Sequence, residues 1–185
     1  MNTTATADPV TRARAIGNFV GFQLGWFACV GGAARGMHEL GAAIAALIVA
    51  VNVATAVRPV RELKLIGCAL AIGIIWDSSL LASGTLTFTS GLLMPHIAPP
   101  WILALWALFA STLNVSLRWL RGRIVVAVVL GAVAGPLSYW AGVRMGAVEF
   151  TQPVVALVAL ALGWAVFTPL LMVLSARYDG MQEAR

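Results

Sequence analysis

Residues 71–88 read AIGIIWDSSLLASGTLTF and set one carboxylate, Asp77, behind a run of apolar residues. A carboxyl there can exchange a proton, pair with an arginine, bind a cation or substrate, or simply fix helix packing. An ionised acid at membrane depth costs about 2.5–3.5 kcal/mol on insertion scales unless it is partnered. Ala69, Gly73 and Asp77 recur every four residues, with Gly84 seven further on, while Ile72 and Ile75 fall on the other side. The small face is the one that admits another helix, so Asp77 is expected to turn inward. A rise of about 1.5 Å per residue from Leu63 sets it roughly 21 Å along its helix.

A second stretch, VVLGAVAGPLSYWAG, places Pro136 inside an apolar run. Proline cannot donate, so the carbonyl of Ala132 loses its helical partner. Gly135 and Tyr139 share a face with it, and counting from Arg123 puts Tyr139 roughly 24 Å in, close to the level of Asp77. These residues predict a small polar pocket of Asp77, Ser78, Ser138 and Tyr139, with Ser79 near it. Arg35 and Arg144, in the adjoining loops, are the candidate partners for the acid.

Other chemistry finds little support. Cys29 and Cys68 both fall in apolar runs and read as small apolar residues rather than a disulfide. His38 and His96 are solitary, and no metal-ligand spacing, nucleophile motif or phosphate-binding loop occurs, so no metal, cofactor or catalytic residue is expected. GAVAGP is glycine-rich but lies within a hydrophobic helix. The net charge of +5 is spread in short clusters between apolar runs, which argues against a nucleic-acid partner.

The elements that must position these groups are membrane helices. With 61% hydrophobic and only 10% charged residues and a mean hydropathy of +0.92, the 185-residue chain has more apolar surface than a soluble domain of this size can hide. Six runs approach the ~20 residues a span requires: 16–34, 40–57, 63–83, 101–118, 123–142 and 154–176. Breaks containing Pro, Gly or charge separate them. The expected fold is therefore all-α: a polytopic bundle of six transmembrane helices in one domain, 16–177. A mobile tail, 1–15, precedes it and a short tail, 178–185, follows it. Ten of the twelve basic residues fall in the tails and the even-numbered loops, which puts both termini in the cytoplasm. The first apolar run has a signal-peptide outline, but it contains Asn18 and Gln23 and is longer than most signal cores, so it is expected to remain as a span.

Gly17, Gly21 and Gly25 line one face of the first span and, with Gly73, Gly135 and Pro136, form the expected helix-packing set. Packing within the chain and a homodimer seam are the two readings of that face. Asn18, Gln23 and Asn114 read as ordinary interhelical hydrogen-bonders. Trp26, Trp101, Trp106, Trp119, Trp140 and Trp164 read mostly as interface anchors, while Trp76 stands beside Asp77 as a possible shield.

NFVGFQLGWFACVGGAA, GIIWDSSLLASGTLTF, PPWILALWALFASTLNVSLRWL and GAVAGPLSYWAGVRMGAV together resemble a family of small polytopic bacterial inner-membrane proteins classed as a domain of unknown function. The resemblance runs from about Asn18 to Gly146 and implies a multi-pass protein of the bacterial inner (cytoplasmic) membrane; it assigns no residue a role. Two kinds of function stay open. One is a transporter-like handler of a small solute or lipid, using the pocket around Asp77. The other is a membrane enzyme or accessory subunit in lipid or fatty-acid modification, or a structural partner in a membrane complex. The chain lacks the grouped His and acidic residues of many lipid-modifying enzymes, which weighs against autonomous catalysis. Its expected partners are membrane lipids, a second copy or another membrane protein.

Overall fold

The computed structural model describes residues 11–182; the outer parts of both expected tails, 1–10 and 183–185, lie outside the described residues. Six α-helices follow one another: α1 (Arg12–Ala34), α2 (His38–Ala54), α3 (Pro59–Ala82), α4 (Pro100–Leu113), α5 (Ile124–Met145) and α6 (Pro153–Arg177). Two short strands, β1 (Leu86–Phe88) and β2 (Val148–Phe150), pair antiparallel, with Thr87 opposite Glu149. The fold is thus mostly helical with one β-ribbon that the hydropathy pattern does not announce.

Boundaries follow local chemistry. Proline opens α3, α4 and α6, where its missing N–H has no helical partner to lose and its φ is already set. Gly146, at φ 86°, closes α5 in the left-handed conformation that favours glycine. The Thr11 hydroxyl accepts from the Arg14 N–H at 3.3 Å, so α1 starts at Arg12 rather than at the expected 16. The fourth element is shorter than expected. α4 ends at Leu113, and the chain then passes through turns and a single 3-10 turn at Arg118–Leu120.

Three helices are long and apolar enough to cross a membrane: α3, α5 and α6. α2 and α4 are apolar but shorter. α1 packs along α2, α5 along α6, and α4 lies between α2 and α3 with contacts to both. The termini of the described chain share one end of the bundle with the start of α3; the β-ribbon marks the other. They are called here the terminal end and the ribbon end.

Close helix approach also occurs at glycines outside the expected set. A Cβ on Gly41 of α2 would strike the Ala28 carbonyl of α1, and one on Gly32 would lie 2.8 Å from the Met37 carbonyl. The Cys29 Sγ donates to the Gly41 carbonyl across this crossing at 3.4 Å, and both cysteines are free. Of the glycines spaced by four in α1, Gly25 is packed under Leu108 of α4 and Gly21 touches Ile48 of α2, both within the chain. Gly17 meets nothing within 4 Å.

Candidate functional site

Asp77 sits in the last two turns of α3, completely buried. Its Oδ2 accepts the indole N–H of Trp106 on α4 at 2.7 Å, and its Oδ1 accepts the phenol O–H of Tyr139 on α5 at 2.5 Å. Three helices therefore converge on one carboxyl. No cation takes part: the two ion pairs among the described residues both lie elsewhere.

Glycine makes the convergence possible. A Cβ on Gly73, one turn before Asp77, would overlap the Trp106 indole; one on Gly135 would overlap the Trp164 indole; one on Gly163 would lie 2.5 Å from the Trp76 ring. Each glycine is a slot for a tryptophan from a neighbouring helix. The Trp106 and Trp164 rings stack at 4.8 Å, and Phe167 stands edge-on to Trp106 at 5.9 Å and to Trp76 at 5.0 Å. This aromatic layer closes Asp77 on the α6 side. The indole N–H groups of Trp76 and Trp164 have no hydrogen-bond partner among the described residues, so of these three indoles only Trp106 spends its donor, and it spends it on Asp77. The sequence reading of Trp106 and Trp164 as interface anchors is corrected accordingly: Trp106 is buried, and its polar edge faces inward.

The six residues expected around the pocket do not all meet. Asp77 and Tyr139 do. Ser138, next to Tyr139 but turned the other way, accepts from the Trp26 N–H of α1 at 2.9 Å. Ser78 accepts from the Ala98 N–H at 3.0 Å and pins the chain before α4. Ser79 bonds its own helix at the Ile75 carbonyl. Arg35 donates back to the Gly31 carbonyl at 2.9 Å, and Arg144 lies over the Trp140 ring at 5.9 Å. Neither arginine reaches Asp77; short-range partners on their own helices hold them.

A second polar centre, absent from the sequence expectations, occupies the terminal end. Glu62, in the first turn of α3, is also completely buried. Its Oε1 accepts from the Asn114 side-chain amide at 2.5 Å and from the Gly180 N–H at 2.9 Å. Asn114 in turn accepts from Arg121 through its side-chain oxygen. Arg121 and Arg118 both donate to Asp179 Oδ2 at 2.8 Å, and Arg121 also donates to the Ser175 carbonyl at 3.1 Å. Residues 178–181, expected as part of a short tail, are thus bound to α3 and to the turn after α4. Gly180 is required there, because a Cβ would lie 2.6 Å from Glu62 Cγ and 2.7 Å from the Arg58 carbonyl. Burial alone would push the Asp179 carboxyl up. The hydrogen bonds from Arg121 and the Met181 N–H, with the charges of Arg121 and Arg118, hold it below its ordinary value. Asn114 was readable as a hydrogen-bonder; Glu62 resembles an ordinary first-turn acid, and nothing in its spacing marks it as buried.

Between the two centres, Asn18 of α1 donates to Asn52 and the Ser111 carbonyl and accepts from Ser116, tying α1, α2 and the end of α4. No group of three or more His, Cys, Asp or Glu among the described residues is placed to hold a metal ion.

Residues 15–170 match the model of a family described as "Protein of unknown function (DUF2878)", and the chain belongs to that family. No curated protein and no solved structure matches it. The matched region contains Asp77, Trp106 and Tyr139 together, whereas Asp179 and Gly180 fall beyond it.

Proposed function

We propose that this family member is a six-pass protein of the bacterial inner membrane, both termini cytoplasmic, that handles a small solute or lipid around a proton-exchanging centre at Asp77. Support for the membrane placement comes from the three long apolar helices α3, α5 and α6 and from the charge bias of the sequence. In this threading the terminal end is cytoplasmic, and Asp77 lies past the midplane towards the outside.

The observation that carries the functional reading is the pair of donors on Asp77. Trp106 can only donate, so Oδ2 is an acceptor in every state. The Tyr139 hydroxyl can donate or accept, so the oxygen pair Oη···Oδ1 can share its proton either way round. When the carboxylate takes up a proton at Oδ1, the new O–H donates to Tyr139, whose own hydrogen rotates away; on release the bond reverses. Both states are accommodated without moving a heavy atom. A structural carboxylate held by a guanidinium would favour one state only. Solute handling coupled to protons needs a group of the Asp77 kind, sealed from both sides in one conformation.

Asp77→Asn tests the reading. The variant should fold, because the amide oxygen can accept from Trp106 while its NH2 donates to the Tyr139 oxygen, and it should lose proton exchange. Infrared titration of the carboxyl band, wild type against variant, shows whether Asp77 changes protonation. A band that never protonates down to about pH 4, near the reference value, defeats the reading. The threading has its own test. Labels placed after residues 38, 60, 95, 121 and 149 should alternate outside and inside, and labelling of position 60 from outside intact cells defeats it.

A further inference from the structure

α2 and α3 both pack closely on α4 but barely on each other, and the gap between them is an apolar groove of about 640 Å³. Ala46, Ala50 and Ala54 of α2, spaced by four, form one wall; Leu63 and Leu70 of α3 form the other; Ala107 of α4 lies in its lining. From Pro59 to Leu70 the groove follows α3 for roughly 17 Å, about half the ~30 Å thickness of a hydrocarbon core.

The groove ends at the start of α3, where Arg58, Arg61 and Lys64 stand within six residues of one another. None of the three side chains makes a hydrogen bond or ion pair among the described residues. The only acid in that stretch, Glu62, is turned inward and bonded to Asn114 and Gly180, so it does not offset them. The result is an apolar slot half a bilayer long that ends, among the described residues, beside three unpaired cations.

We infer that this groove binds one acyl chain of an anionic phospholipid, with the headgroup phosphate held by Arg58 and Lys64. The inference rests on the membrane placement proposed above and is independent of Asp77. A second copy of the chain is the poorer occupant. Two copies with the same orientation in a membrane bring their cationic mouths to the same level, and like charges repel. A phosphate at the same level is attracted instead.

Native mass spectrometry of the full chain released from nanodiscs tests this, with phosphatidylglycerol competing against phosphatidylcholine of identical acyl chains. Wild type should retain one phosphatidylglycerol in preference to phosphatidylcholine by about fivefold or more for each engaged cation, the equivalent of ~1 kcal/mol each. Ala50→Phe fills the slot and should lose both lipids. Arg58→Gln with Lys64→Gln, at solvent-accessible positions, should keep chain binding and lose the headgroup preference; it carries the test by itself if Ala50→Phe does not fold. Equal retention of the two lipids by wild type overturns the inference. So does undiminished phosphatidylglycerol on Ala50→Phe, an unchanged preference in the double variant, or disulfide cross-linking of Ala50→Cys to a second copy. A protein that stays in solution without detergent would instead defeat the membrane placement itself.

Discussion

Asp77 and Glu62 sit near opposite ends of the same helix, both wholly removed from solvent, and the bundle partners them by different means: both oxygens of Asp77 accept a hydrogen bond, but only Oε1 of Glu62 does. Glu62 belongs to a network that ends in two guanidiniums, a second carboxylate and a returning stretch of backbone. Asp77 has two neutral donors carried on aromatic rings and no charge near enough to pair. The contrast follows from reach. At the terminal end the turn after α4 and the residues after α6 bring long polar side chains and free backbone N–H groups alongside α3. The two donors to Asp77 come from the interiors of α4 and α5, whose backbone N–H groups are already used, so each arrives on a side chain that is otherwise apolar. Indole and phenol meet that need, an apolar body with one polar tip. One centre is held by charge, the other by shape.

If that distinction holds, the two centres must fail under different insults. The largest effect is expected from Gly73→Leu, whose side chain would displace the Trp106 ring and spread α3 from α4. Overpacking of this kind typically costs 1–3 kcal/mol or more, and the variant should show a lower melting temperature in detergent together with loss of the Trp106 bond. Gly17→Leu, by contrast, meets open space and should melt like wild type.

Next in size is Trp106→Phe, which keeps most of the ring but leaves Asp77 Oδ2 without its donor. Stranding a buried acceptor costs about 1–3 kcal/mol, measured as a fall in stability that is not repeated in an Asp77→Ala background, where no acceptor is left to strand. Arg121→Gln should follow at about 1–2 kcal/mol, since Arg121 bonds Asp179, Asn114 and the Ser175 carbonyl. Arg118→Gln, which removes one ion pair and only a long 3.5 Å bond to the Asn114 carbonyl, should cost under about 1 kcal/mol. Equal effects of the two arginine variants would break the view that Arg121 is the hub.

Smallest is the response to acid. The Asp179 carboxyl lies below its ordinary value of 3.8 in the folded protein. A depressed group contributes its full stability above the unfolded value and loses it as pH falls through the folded one. Hydrogen-exchange protection of the Met181 N–H, which donates to Asp179, should therefore hold from neutrality to about pH 4 and be lost below it. In Asp179→Asn that acid step should vanish.

Much of this arrangement was legible in the chain. The four-residue spacing of Ala69, Gly73 and Asp77 gives the buried face of α3, and counting along two helices puts Tyr139 level with Asp77. Rotation and depth are properties of single helices, so a pattern of small and large residues encodes them. Which helix supplies the second donor is a property of how helices are arranged, and nothing in the spacing of Trp106 states that it faces α3. The arginines failed for a related reason: Arg35 and Arg144 were expected in the loops above Asp77, yet each is held by a partner four residues away in its own chain segment. Glu62 was missed because its burial depends on residues 178–181 folding back, a contact across more than 110 positions. The ribbon was missed because three-residue strands carry too little alternation to rise above a loop.

The unequal lengths of the helices have a mechanical consequence for whatever sheet of lipid surrounds them. α4, at 14 residues, is roughly 21 Å long and α2, at 17, roughly 26 Å, while α6, at 25, reaches roughly 38 Å. Against a core of ~30 Å, one flank of the protein is too short and the opposite flank too long. In the membrane placement proposed above, lipid thins beside α2 and thickens or tilts with α6, so the molecule acts as a wedge that draws the headgroup layer down on the flank where the alanine-lined groove opens.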